Sequence, residues 1–160
     1  MQGISNGLYR VSVWLVILFS LLLTCSVLLE VFARSIFGIS FRWSGELAQY
    51  SYVYLTFIGA AAAYKKHELI GFDVLKHKLS PKFKRTFFYL VHVVILCFAA
   101  AMLYYGIMKI LSPSVMVQKS AGLRLPMFVP FAAIPIGMAM IIFHALTFLL
   151  FARRGAGEEK

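Results

Sequence analysis

Four apolar runs, at residues 11–29, 47–64, 87–107 and 127–151, decide what this chain can become. Crossing a hydrocarbon core of about 30 Å takes about 20 helical residues, and each run comes close to or exceeds that length. Hydrocarbon offers backbone amides and carbonyls no water, so the runs are expected to be helices whose ends are set by charges and breakers. Of the 160 residues, 61% are hydrophobic and 14% charged, a balance far more apolar than a soluble domain. The expected fold is an all-α integral membrane protein. Its single membrane domain, residues 1–160, holds four transmembrane helices at about 8–34, 45–65, 81–111 and 127–152 and a short interfacial amphipathic helix at about 68–79.

The net charge of +10 would suggest nucleic acid in a soluble protein. Here the cations gather at the ends of apolar runs, where they set orientation instead. With the N-terminus in the cytoplasm, that side holds Arg10, seven basic residues between Lys65 and Arg85, and Arg153, Arg154 and Lys160. The other side holds Arg34, Arg42, Lys109, Lys119 and Arg124. Both termini are therefore expected to be cytoplasmic. Residues 31–33 resemble a signal cleavage site, but the apolar stretch before them is longer than a signal peptide needs, so the first segment is read as a retained helix. Cys25 and Cys97 lie inside expected spans without CxxC spacing and are read as packing residues rather than a disulfide or metal framework.

Between the first two runs, residues 34–46 form a polar seam at the outer surface. Glu30 and Arg34 stand four apart in the order that favours a local ion pair on a helix. Ser44 is placed as an N-cap for the second helix, with Glu46 in its first turn against the positive end of the macrodipole and Trp43 in the aromatic belt. At the inner end of this helix Gly59 and the alanines at 60–63 would let a neighbouring backbone come close.

Leu69, Phe72, Leu75 and Leu79 share one helical face, while Asp73 points elsewhere. This pattern fits a short helix lying in the cytoplasmic interface, its lysines near anionic lipid. Ser80-Pro81 supplies an N-cap and a first-turn proline for the third helix, which is expected to stop near Ser112-Pro113. Pro135 is expected to bend the fourth helix, because proline removes a backbone donor and crowds the preceding turn.

Polar residues within spans are candidates for function. His92 and His144 fall at similar depth on the third and fourth helices, and two such histidines could serve as axial ligands of a b-type haem; the alternative is hydrogen-bonded packing. A small autonomous exporter would need a carboxylate deep in the bilayer, whereas Glu30 and Glu46 both lie near the outer surface. No nucleophile and base pair, phosphate loop or metal-ligand cluster stands out. The residues therefore read as a non-enzymatic helical subunit that presents surfaces to a partner.

Val31-Phe-Ala-Arg34, Phe41-Arg-Trp-Ser-Gly-Glu-Leu-Ala48, Phe57-Ile-Gly-Ala60 and Ile70-Gly-Phe-Asp73 occur in this order. Leu79-Ser-Pro81, residues 120–126 and Ile134-Pro-Ile-Gly137 follow them. Together they resemble the small membrane subunit, of DctQ or SiaQ type, of tripartite ATP-independent periplasmic (TRAP) transporters. The chain departs from the family pattern in having Gly45-Glu46 where paired acids are usual, and Leu69 where a histidine is usual. The resemblance implies a bacterial inner-membrane protein working with a large membrane subunit, a periplasmic substrate-binding protein and membrane lipids. It implies a scaffold role in sodium-driven import of organic acids such as sialic acid or a C4-dicarboxylate. The sodium and substrate sites would lie in the large subunit, with no cofactor in this one. Arg34, Arg42, Trp43 and Glu46 are the residues expected to make scaffold or partner contacts at the periplasmic face.

Overall fold

The computed structural model describes residues 2–66 and 81–155, and every described element with more than an isolated bridge is helical. The helices are α1 (Gln2–Phe37), α2 (Arg42–Lys65), α3 (Pro81–Ile110), α4 (Pro113–Val117) and α5 (Phe128–Gly155). The expected interfacial helix, with Leu69, Phe72, Asp73, Leu75 and Leu79, lies outside the described residues. The short α4 was not expected from the sequence. It opens at Pro113 behind Ser112, whose extended backbone and following proline suit a helix start.

Among the described residues, three helical stretches, Ser5–Phe37, Tyr89–Ile110 and Phe128–Leu149, are long and apolar enough to cross a membrane. α2 falls short of them in apolarity, because its outer half carries Ser44, Glu46, Gln49 and Ser51 among three tyrosines. Its polar groups are used inside the bundle. Ser44 and Ser51 are buried, and Tyr54 donates its hydroxyl to the Val129 carbonyl at 2.6 Å. α2 packs along both α1 and α5, and α3 packs on α5. At the alanine run, Ala61 is fully buried in a core cluster with Tyr64, Ala99, Met138, Met140, Ile141 and Ala145.

α1 is peripheral. Only 6% of its apolar stretch is buried within the chain, against 44% of that of α5, and Trp14, Leu21 and Phe32 stand well exposed. A surface this apolar is satisfied by lipid or by a partner, not by water. Cys25 and Cys97 are also exposed on the bundle surface, so they do not fill the packing role read from the sequence. A helical residue's depth in a run says nothing about which way it faces.

α1 ends at Gly38, whose φ of +64° is the left-handed conformation that glycine adopts without strain. α2 then starts earlier than the sequence suggests. Phe41 occupies the N-cap position and makes no side-chain cap bond, so Ser44 and Glu46 belong to the helix body and are free to bond elsewhere.

Candidate functional site: two carboxylate clamps at the α1–α2 junction

Both acidic residues near the α1–α2 junction reach across the chain to hold a loop. Glu30, near the end of α1, accepts hydrogen bonds from Ser40 Oγ at 2.5 Å, the Phe41 amide at 3.1 Å and Ser44 Oγ at 2.5 Å. It therefore caps the start of α2 from a neighbouring helix, supplying the acceptor that no side chain at Phe41 can provide. Ser26 Oγ adds a bond to the Ser44 carbonyl at 2.6 Å. Arg34, four residues on, still acts on the Glu30 carboxylate through its charge, but the three converging donors contribute more.

Glu46 does the same for the connection between α4 and α5. That connection is a tight turn closed by Ser120 N–H to the Leu125 carbonyl at 2.8 Å and Met127 N–H to the Gln118 carbonyl at 3.0 Å. Arg124 at its tip has a φ of +53°. The folded-back backbone aims successive amides inward, a concave donor set suited to an anion. Glu46 fills it, accepting from Ser120 Oγ at 2.7 Å, Gly122 N–H at 2.8 Å and Leu123 N–H at 2.9 Å. Gly122 makes the seat possible: a Cβ there would lie 2.8 Å from the Arg42 carbonyl oxygen and 3.0 Å from the Trp43 Cα. Only a glycine lets the turn lie this close to the backbone of α2.

The four residues expected to contact partners are thus placed around one seam. Arg34 is exposed on the last turn of α1 and Arg42 is exposed at the start of α2. Trp43 is 37% exposed, its ring 5.8 Å from that of Phe41. Glu46 faces inward and is spent on the turn. Sequence reasoning missed Glu30 as a cap and Gly122 as a close-approach residue; the two acids falling one on each side of a glycine and serine break were the available signal. Glu30→Ala is expected to fray the start of α2, read as faster amide exchange at residues 41–45 with the exchange of mid-α2 unchanged. Unchanged exchange at Phe41 would contradict the cap.

The opposite end of the bundle holds the two histidines. His144 Nδ1 lies 3.2 Å from Ser5 Oγ, which also receives a bond from Lys65 Nζ. Ser5 Oγ therefore ties α1 to His144 of α5 and Lys65 of α2, with one proton and two lone pairs to share between them. The His92 ring packs at 5.8 Å from that of Tyr64 and 5.9 Å from that of Phe148. His92 thus packs among aromatic rings, while His144 is tied to Ser5.

Among the described residues, both acids are turned to holding the chain's own loops, and apolar faces are left outward. The sequence model for the DctQ component of tripartite ATP-independent periplasmic transporters matches residues 23–155. The chain belongs to this family. The small permease protein DctQ of a C4-dicarboxylate TRAP transporter from Rhodobacter capsulatus is 31% identical over 125 residues, covering 74% of this chain and 52% of that protein. Its counterpart in Vibrio cholerae is 27% identical over 140 residues, covering 73% and 60%. The isethionate TRAP transporter permease protein DctMQ of Oleidesulfovibrio alaskensis is 23% identical over 104 residues, covering 65% of this chain and 16% of that protein. The chain therefore spans less than two thirds of the length of each of these relatives. As a DctQ-type component it is a membrane protein of a transport system, not an enzyme, and both carboxylate clamps lie within the matched region.

Proposed function

We propose that this chain is the small scaffold subunit of a sodium-coupled TRAP transporter for organic acids in a bacterial inner membrane. The family match over residues 23–155 carries the reading. In it, all four long helices cross the membrane, both termini are cytoplasmic, and the sodium and substrate sites reside in the large subunit. The relatives' names point to C4-dicarboxylates or isethionate, and sialic acid is a further candidate of the same anionic class. The exposed face of α1 supports a scaffold role, since it offers an apolar wall for a large membrane partner. Tagged chain extracted at native expression in mild detergent should bring down one large polytopic membrane protein. A lone chain, in a preparation that preserves other membrane complexes, would sink the proposal.

The outer end also suits docking of a periplasmic binding protein. With Glu30 and Glu46 spent inside the chain, that end presents Arg34, Arg42, Lys109, Lys119 and Arg124, all exposed. A surface of one sign steers an acidic partner and raises its rate of encounter. Arg42→Glu together with Arg124→Glu is expected to slow uptake steeply at low salt and less at high salt, while complex yield holds. Uptake equal to wild type at every ionic strength would remove the docking role.

A further inference from the structure

An open groove of about 510 Å³ runs between the outer halves of α3 and α5. This volume falls in the range, roughly 300–1,000 Å³, of pockets that hold organic ligands. Its floor on α3 is set by helical spacing: Met102, Gly106 and Lys109 stand four and three residues apart and so line one face. Phe131 and Ile134 form the wall on α5. Gly106 lets α5 come close, its hypothetical Cβ lying 3.3 Å from both Ile134 Cγ2 and Pro135 Cδ. The walls are apolar throughout their length, and the polarity is confined to one end.

That end is Lys109, in the last turn of α3, next to Ser112. Lys109 is exposed, and among the described residues its ammonium makes no ion pair or hydrogen bond. Met102 lies seven residues below it, so the apolar floor extends about 10 Å into the bundle's span from the cation. Tyr105, also lining the groove, is 69% exposed, as befits an aromatic residue at headgroup level. A cation at the rim above an apolar trough matches an amphiphile with its negative head outward and its tail inward.

We infer that this groove binds an anionic phospholipid of the outer leaflet, its phosphate at Lys109 and one acyl chain along Met102, Gly106, Phe131 and Ile134. The inference rests on the proposed orientation, in which the end of α3 is periplasmic. The phospholipid is held for its charge, unlike the lipids that coat any apolar helix.

The complex, purified in mild detergent and exchanged into mixed micelles of phosphatidylglycerol and phosphatidylethanolamine, is analysed by native mass spectrometry for retained lipid. The wild type is expected to retain phosphatidylglycerol preferentially. Lys109→Gln should lower that preference about fivefold, the worth of one basic residue at an anionic surface, and Lys109→Glu should lower it further. Ile134→Trp, which fills the trough, should reduce retention of both lipids. Equal phosphatidylglycerol retention in the wild type and Lys109→Glu would overturn the inference, as would a photo-cross-linker at Phe131 that captures a protein chain in place of lipid. The large subunit is weighed in the same spectra, so loss of the partner is read separately from loss of lipid.

Discussion

Gly137→Ala is expected to lower the stability of this bundle more than any other single methyl addition. A Cβ at this position would lie 2.7 Å from the Phe57 Cβ and 2.8 Å from the Phe57 carbonyl oxygen, distances that no pair of such atoms tolerates. Two of the three nearest atoms belong to the backbone of α2, so no rotamer change relieves the overlap and α2 and α5 must move apart. Overpacking a core typically costs about 1–3 kcal/mol, and a backbone clash places this change near the upper end. The contact is central: α5 also carries Met138, Met140, Ile141 and Ala145 of the core. Melting of the detergent-purified protein checks the effect, and Gly137→Ala melting with the wild type would contradict it. Phe57→Ala should not rescue the variant, because alanine keeps both the Cβ and the carbonyl that the new methyl would strike. A variant restored by trimming Phe57 alone would mean that the side chain, not the close approach of the two helices, is what glycine accommodates.

Glu46→Ala is expected to release the turn between α4 and α5. Three donors, Ser120 Oγ and the amides of Gly122 and Leu123, lose their common acceptor. Water can replace it at this partly exposed site, so the effect is local opening rather than unfolding. Amide exchange at Gly122 and Leu123 should rise on the order of tenfold or more, with exchange in the core of α5 unchanged. Glu46→Gln keeps one oxygen and loses the charge, so it should fall between the two, since bonds to an ionised acceptor are the stronger ones. Gly122→Val should produce the same opening from the other side, by holding the turn off the Arg42 carbonyl. If Glu46→Ala left these amides protected, the turn would be held by its own Ser120–Leu125 closure and the carboxylate would be incidental. Because the same turn carries Lys119 and Arg124, its release should also weaken any contact made by the outer cationic surface.

The seam between the first two helices shows how far the chain can be read before it folds. Clustering of Arg34, Arg42, Trp43 and Glu46 marked it as the outer end and as the place where chemistry gathers. The destinations of the acids were another matter. Glu30 has a cation four residues away, a pairing that local spacing favours, yet it bonds to Ser40, Phe41 and Ser44. Glu46 was expected to serve the start of its own helix, yet its partners lie 74 to 77 residues further on. His92 and His144 shared a depth, and only the packed chain shows His92 against the rings of Tyr64 and Phe148 and His144 beside Ser5.

The sequence by itself determined that this chain is helical and membrane-borne and how its charge is distributed, because transfer into hydrocarbon is a sum over consecutive residues and needs no knowledge of neighbours. Family membership followed from short motifs kept in order for the same reason. Tertiary structure alone decided which carboxylate holds which loop, where Gly122 and Gly137 bring backbones into contact, and that a trough opens beneath Lys109. These depend on how helices cross and which faces meet, and distances between residues far apart in the chain are fixed only when the whole bundle packs.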